Sequence, residues 1–239
     1  MARNPFEGEI ARYYDAWFST PVGQYVERVE NDLLFRMIGE VKGKAILDVG
    51  CGTGNHLIAL YRRGAGLCVG IDRSRDMLEV FRQKLSSNGP CIVRADAAHL
   101  PFREKIFDLC FSVTMLEFVS KPGNVIAEMH RVSRGRMVLA VLNRLAFSAF
   151  LRKLESLLKP TPFRYARFIS PFQLKHLVRC RIPDARIRWY TTLAFFPFFP
   201  SRFRKVLERI DMRLSYSRFP FGAFLVMAIR WTTRTENSG

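Results

Sequence analysis

The sequence predicts an α/β fold, a mostly parallel sheet with helices on both faces, and three observations predict it. Short apolar runs recur at residues 45–49, 67–72, 91–96 and 107–113, each the length of a buried strand. The stretches between them carry helical spacing, so strand and helix alternate as they do when helical crossovers join parallel strands. The first three runs each contain a carboxylate at or near their end, Asp48, Asp72 and Asp96, so polar side chains collect at one end of the sheet. In open α/β sheets that carboxyl end is where ligands bind.

Taken in order, the chain opens with Tyr13, Tyr14, Asp15 and Trp17, then breaks at Thr20-Pro21. Residues 24–40 follow with Val26, Val29, Leu33, Leu34, Met37 and Ile38 on one side, the spacing of an amphipathic helix that packs on a sheet. The first strand runs into Gly50, Gly52 and Gly54. Asn55 stands where a dinucleotide fingerprint needs glycine, and no Lys-Ser or Lys-Thr follows as a phosphate loop requires. The pattern is Asp-x-Gly-x-Gly-x-Gly, which reads either as a loop presenting its amides to a cofactor or as a plain strand-to-helix turn. Asp72 lies 24 positions after Asp48, near the ~20-residue spacing between loop and ribose-binding acid in doubly wound folds. Asp96, closing the third run, offers a second acid suited to an adenine amino group. The fourth strand, Phe107 to Val113, continues into Met115, Leu116, Glu117, Phe118 and Val119.

These ordered elements resemble the class I S-adenosylmethionine-dependent methyltransferases, most closely the branch that holds the ubiquinone and menaquinone biosynthesis enzymes. The resemblance rests on the glycine motif, Gly70 to Ser74 with Met77-Leu78, Ala95-Asp96-Ala97 with Leu100-Pro101-Phe102, Phe107-Asp108 with Leu116-Glu117, and Glu128 to Val132. It covers residues 45–142. It implies a Rossmann-like, mostly parallel seven-stranded sheet with a C-terminal antiparallel hairpin and a helical cap, and S-adenosylmethionine as cofactor. It places Asp48, Gly50 and Gly52 around the methionyl moiety, Asp72 on the ribose, Asp96 and Ala97 at the adenine, and Ser112 or Val113 near the sulfonium, and it adds Cys51, Arg73 and Met77 to the cofactor-binding residues. Ser133, Arg134 and Gly135 replace the family's usual Pro-Gly-Gly, which implies a shorter turn before the fifth strand, and Phe118 stands where a histidine is common. Relatives fold the Tyr-Tyr-Asp segment over the cofactor, so Tyr14 either closes the site or fills a helix–sheet seam.

Beyond Asn143 the pattern thins. Leu145, Phe147, Phe150, Leu151, Leu154, Leu157 and Leu158 keep helical spacing until Pro160, and Ser170-Pro171 starts a further helix. Residues 186–193 and 222–231 read as strands, with phenylalanines at 195, 196, 198 and 199 and a basic amphipathic helix over 203–214 between them. The chain is expected to form one domain over 1–239, with an N-terminal helical segment (1–44), a cofactor core (45–142) and an acceptor-side cap with the final strands (143–239).

Charge divides along the same line. Residues 144–239 hold 19 Lys and Arg against 5 Asp and Glu, residues 1–143 hold 19 against 16. The basic half is either a solvated face or a surface for an anionic partner, a membrane met peripherally ahead of a nucleic acid. Cys51, Cys68, Cys91 and Cys110 fall in or beside apolar strands, where a thiol serves as a small buried hydrophobe. The five cysteines form no zinc pattern or disulfide framework and the four histidines show no ligand spacing, so no metal is expected and a reducing, cytoplasmic location is favoured, with the inner membrane surface as a peripheral site. In methyl transfer a general base is optional, and Glu117, His99, Tyr13 and Tyr14 are each base candidates or packing residues, so no catalytic residue is assigned. The leading function is methylation of an apolar or amphiphilic small molecule such as a quinone precursor or lipid; the alternatives are RNA methylation and a non-catalytic cofactor-binding scaffold.

Overall fold

The computed structural model describes residues 6–149, 162–193, 209–210, 213–214 and 218–232. Seven strands, β1 (Ile46–Val49), β2 (Cys68–Asp72), β3 (Cys91–Arg94), β4 (Leu109–Val113), β5 (Arg136–Leu142), β6 (Arg186–Thr192) and β7 (Phe224–Arg230), form one sheet in the order β3-β2-β1-β4-β5-β7-β6. The first five run parallel, while β7 inserts antiparallel between β5 and β6. The order reverses between β1 and β4, which opens a crevice at their carboxyl ends.

Among the described residues six α-helices cover the sheet: α1 (Glu9–Phe18), α2 (Pro21–Ile38), α3 (Asn55–Arg62), α4 (Arg75–Gln83), α5 (Pro122–Val132) and α6 (Pro171–Arg179). The strands alternate between two apolar cores. Val138, Ala140, Val226 and Phe224 face Leu33, Leu34, Leu57 and Phe81 of α2, α3 and α4, and Met137, Leu139 and Met227 face Met129, Val132, Leu174 and Val178 of α5 and α6. Because both faces are covered, β1 and β5 read as continuous apolar runs rather than alternating ones.

Local chemistry sets the helix starts. Thr20 Oγ1 accepts from Gly23 N at 3.0 Å with Pro21 in the first turn, so the Thr20-Pro21 break is the N-cap of α2, which begins before residue 24. Ser170 and Gln173 form a reciprocal capping box on α6. The turn from α5 to β5 is short, as expected: Ser133, Arg134 and Gly135 suffice, with Arg134 N bonded to Phe107 O.

Three expectations need correction. The third strand ends at Arg94 and lies at the sheet edge with a single neighbour, so Cys91 is exposed rather than a buried thiol. The fourth begins at Leu109, because Asp108 turns its carboxylate to Ala45 N and Arg134. Arg186–Thr192 and Phe224–Arg230 form the expected antiparallel pair within slightly narrower bounds. Most of the expected cap, residues 150–161 and 194–208, and the tail at 235–239 lie outside the described residues. Among the described residues no helix is long and apolar enough to cross a membrane.

Candidate functional site

The glycine loop uses its amides internally. Gly50 N and Cys51 N both donate to Ile71 O, at 2.8 and 2.9 Å, Gly54 N donates to Cys51 O at 2.9 Å, and Gly52 N donates to Asp72 Oδ2 at 2.9 Å. The expectation of bare amides awaiting an anion is therefore corrected: this loop is bonded to β2. Its contribution is space, since a Cβ on Gly52 would meet no atom within 4 Å and would stand in the open cleft.

Asp72 closes the opposite side. One carboxylate oxygen holds Gly52 N and the other holds Ser74 N at 2.8 Å, leaving lone pairs on both for hydroxyl donors. Burial raises its pKa, and the backbone bonds to Ser74 and Gly52 oppose that rise. The same cleft is lined by Gly50, Gly52, Arg73, Met77, Asp96, Ala97 and Val113. Asp96 Oδ1 is used by Ala98 N at 2.9 Å, and its other oxygen makes no hydrogen bond among the described residues. Asp48 and Cys51 border a smaller adjoining cavity with Glu27, His56 and Thr114. Burial, then the Asp72 charge, holds the Asp48 carboxyl well above the usual range. The Cys51 side chain packs toward Gly70, and burial pushes its thiol up as well, so it acts as a small apolar group. Ser112 lies behind the wall, its hydroxyl donating to Val49 O at 2.7 Å, which leaves Val113 as the residue facing the cleft.

The N-terminal segment closes over this site. Asp15 accepts from Thr53 Oγ1 at 2.8 Å and Asn55 Nδ2 at 3.1 Å and pairs with Lys84, which also donates to Asn55 Oδ1. Ser74 Oγ donates to Phe6 O and Gly8 N to Asp76 Oδ2, both at 2.7 Å. Tyr14 is thereby placed on the wall of both cavities, where burial pushes its phenol up to about 12. Edge-to-face ring contacts link Phe6 to Phe118 at 4.8 Å and Tyr14 to Phe18 at 5.6 Å.

Sequence reasoning missed Phe6, Thr114 and Met115 among the lining residues. Phe6 comes from a non-periodic segment and carried no signal. Thr114 holds φ 46, a left-handed backbone that a β-branched residue adopts only at a cost of about 1–3 kcal/mol, right where the β4 end meets the cleft. Of the base candidates, Tyr13 is 69% exposed, and neither it nor His99 lines the cleft. Glu117 is buried behind it, Oε1 accepting from Leu142 N at 2.5 Å.

Residues 47–141 match a family model described as a methyltransferase domain. This stretch is similar to methyltransferase domains. Malonyl-[acyl-carrier protein] O-methyltransferase of Hamiltonella defensa is 34% identical over 106 residues, 44% of this chain and 40% of that one. Ubiquinone biosynthesis O-methyltransferase of Thiobacillus denitrificans is 36% identical over 152 residues, 57% of this chain and 63% of that one. The chain thus spans about half the length of these relatives. Among solved structures, a Thermotoga maritima S-adenosylmethionine-dependent methyltransferase, described as a possible histamine N-methyltransferase, superposes with TM-score 0.70 at 22% identity, covering 92% of this chain and 97% of that one, a likeness of fold.

The cleft fits S-adenosylmethionine, the cofactor expected from the sequence. Asp72 offers two oxygens for paired hydroxyls, Asp96 and Ala97 border the same cleft, and Gly52 leaves the space a side chain would fill. Replacing Asp72 with Ala is expected to weaken S-adenosylhomocysteine binding by ~1.5–3 kcal/mol, the range for hydrogen bonds to a charged group. Titration calorimetry checks this; unchanged affinity in a folded variant would remove Asp72 from the site.

Proposed function

We propose that the protein transfers a methyl group from S-adenosylmethionine to an apolar or amphiphilic small molecule. The observation that carries this reading is the wall facing the acceptor: Phe6, Tyr14, Val113, Met115, Phe118 and Val119 line the cleft together, an apolar surface beside the polar cofactor side. The sulfonium supplies an electrophilic methyl carbon, so the chain's task is to align an acceptor and exclude water. The Phe6–Phe118 and Tyr14–Phe18 contacts serve the second purpose.

In the transfer an acceptor lone pair forms the new bond to carbon as the carbon–sulfur bond breaks and its electrons neutralise the sulfonium. Any proton on the acceptor passes to solvent. Tyr14, with its phenol pushed up to about 12, stays protonated at neutral pH and acts as a donor or spacer rather than as a base. Alignment therefore carries the catalysis, and an acceptor that is acidic or already deprotonated suits the site best.

Incubation with methyl-labelled S-adenosylmethionine and fractionated cell extract tests the reading. Label is expected in material that partitions into organic solvent. Label confined to RNA would overturn the small-molecule acceptor, and cofactor binding with no label in any fraction would make the protein a scaffold.

A further inference from the structure

A groove with a volume of about 1080 Å³ opens beside the cofactor cleft, and Val119 forms part of the wall of both. Leu116, Ile169 and Leu177 give it an apolar floor, while Arg144 and Arg167 supply cationic side chains, and among the described residues no carboxylate lines it. Neither arginine forms an ion pair among the described residues, and both are exposed. Their backbones are fixed nonetheless: Arg144 N donates to Ile169 O and Arg167 N to Glu117 O, at 3.4 and 2.8 Å. Glu117, the neighbouring acid, turns its carboxylate inward to Leu142 N and so leaves the groove's positive charge uncancelled. Phe172, which lines the groove, is 63% exposed.

Apolar walls of this extent suit a chain or fused ring system, at the upper end of the ~300–1,000 Å³ typical of ligand pockets. Two guanidiniums on one groove suit a carboxylate or phosphate, to which arginine binds in a fork. We propose that the groove continues the acceptor side of the cleft past Val119 and takes an anionic amphiphile, its charged head at Arg144 and Arg167 and its apolar body along Leu116, Ile169 and Leu177. The occupant is an acceptor only if the methyl-transfer reading holds, whereas its binding is separable from transfer.

Fluorescence titration of the full chain with dansyl-undecanoate, in the presence of S-adenosylhomocysteine, tests the site. Saturable binding is expected, displaced by oleate but not by methyl oleate. The double variant Arg144→Glu, Arg167→Glu should weaken the probe by roughly ten- to a hundredfold, and Phe172→Glu should weaken it as well. Affinity for S-adenosylhomocysteine should stay unchanged in both variants, which also reports an intact fold. Equal displacement by oleate and methyl oleate, displacement by an RNA oligonucleotide but not by oleate, or undiminished probe affinity in the double variant would each overturn the proposal. If probe binding follows the expected pattern but extract acquires no label, the methyl-transfer reading fails and the groove stands; if labelling proceeds equally with the double variant, the groove fails and transfer stands.

Discussion

Gly52→Val is expected to abolish S-adenosylhomocysteine binding, a loss of more than about a hundredfold, or about 3 kcal/mol, in a protein that remains folded. At Gly52 the backbone has φ 52 and an added Cβ meets nothing within 4 Å, so the valine side chain would occupy the open cleft instead of displacing protein atoms. The fold loses only the left-handed backbone preference, about 1–3 kcal/mol, which a domain of ordinary stability tolerates. Gly54→Ala is the contrasting case. Its φ is +80, and a Cβ there would lie 2.3 Å from the ring of Phe81, a fully buried core residue. Overpacking and backbone strain add to roughly 3–5 kcal/mol, a drop of about 10 °C or more in Tm. Calorimetry and thermal denaturation on the two variants separate the roles. Normal cofactor affinity in Gly52→Val would mean that the ligand does not approach this glycine.

The difference between these glycines marks what the chain discloses before folding. The pattern Asp48 to Gly54, with Asp72 and Asp96 ending later apolar runs, disclosed the sheet and the crevice these residues line, because strand periodicity and acids at strand ends are local signals. Which glycine serves the ligand and which serves packing was not legible, since Phe81 reaches Gly54 only through the fold. The same holds for Asp15: the Tyr-Tyr-Asp segment drew notice for its rings, yet its carboxylate fastens the N-terminal helix to Thr53, Asn55 and Lys84, 38 or more positions away. Edge position also escaped the periodicity, so Cys91 read as buried although β3 has one neighbour. Ser112 and Val113 were equivalent by sequence, and only strand register decided which of them faces the cleft. On the acceptor side the charge asymmetry was plain, whereas the meeting of Val119, Arg144 and Arg167 around one groove joins three separate loops.

Glu117→Gln is expected to make the protein more stable than the wild type at pH 8 and about equal to it at pH 5. The side chain is 1% exposed, with Oε1 bonded to Leu142 N and Oε2 without a hydrogen-bond partner. Burial raises its pKa from 4.5 to about 7 despite the opposing bond from Leu142. Between those values the folded protein holds a proton that the unfolded chain releases. Its contribution to stability is therefore fully present below pH 4.5, is lost as pH rises toward 7, and stays absent above it. At about 1.4 kcal/mol per pH unit, the loss is on the order of 3 kcal/mol. Glutamine keeps an acceptor for Leu142 N and cannot ionise, so it removes the titration while preserving the shape. Urea denaturation of both proteins from pH 5 to pH 8 reads the difference directly, and other titrating groups cancel between them. Parallel stability profiles would show that Glu117 is ionised throughout and hydrated in the folded state. Because Arg167 N is held by Glu117 O, ionisation at this position also bears on the groove rim. The dansyl-undecanoate affinity of the wild type should accordingly fall between pH 6 and pH 8 more than that of Glu117→Gln.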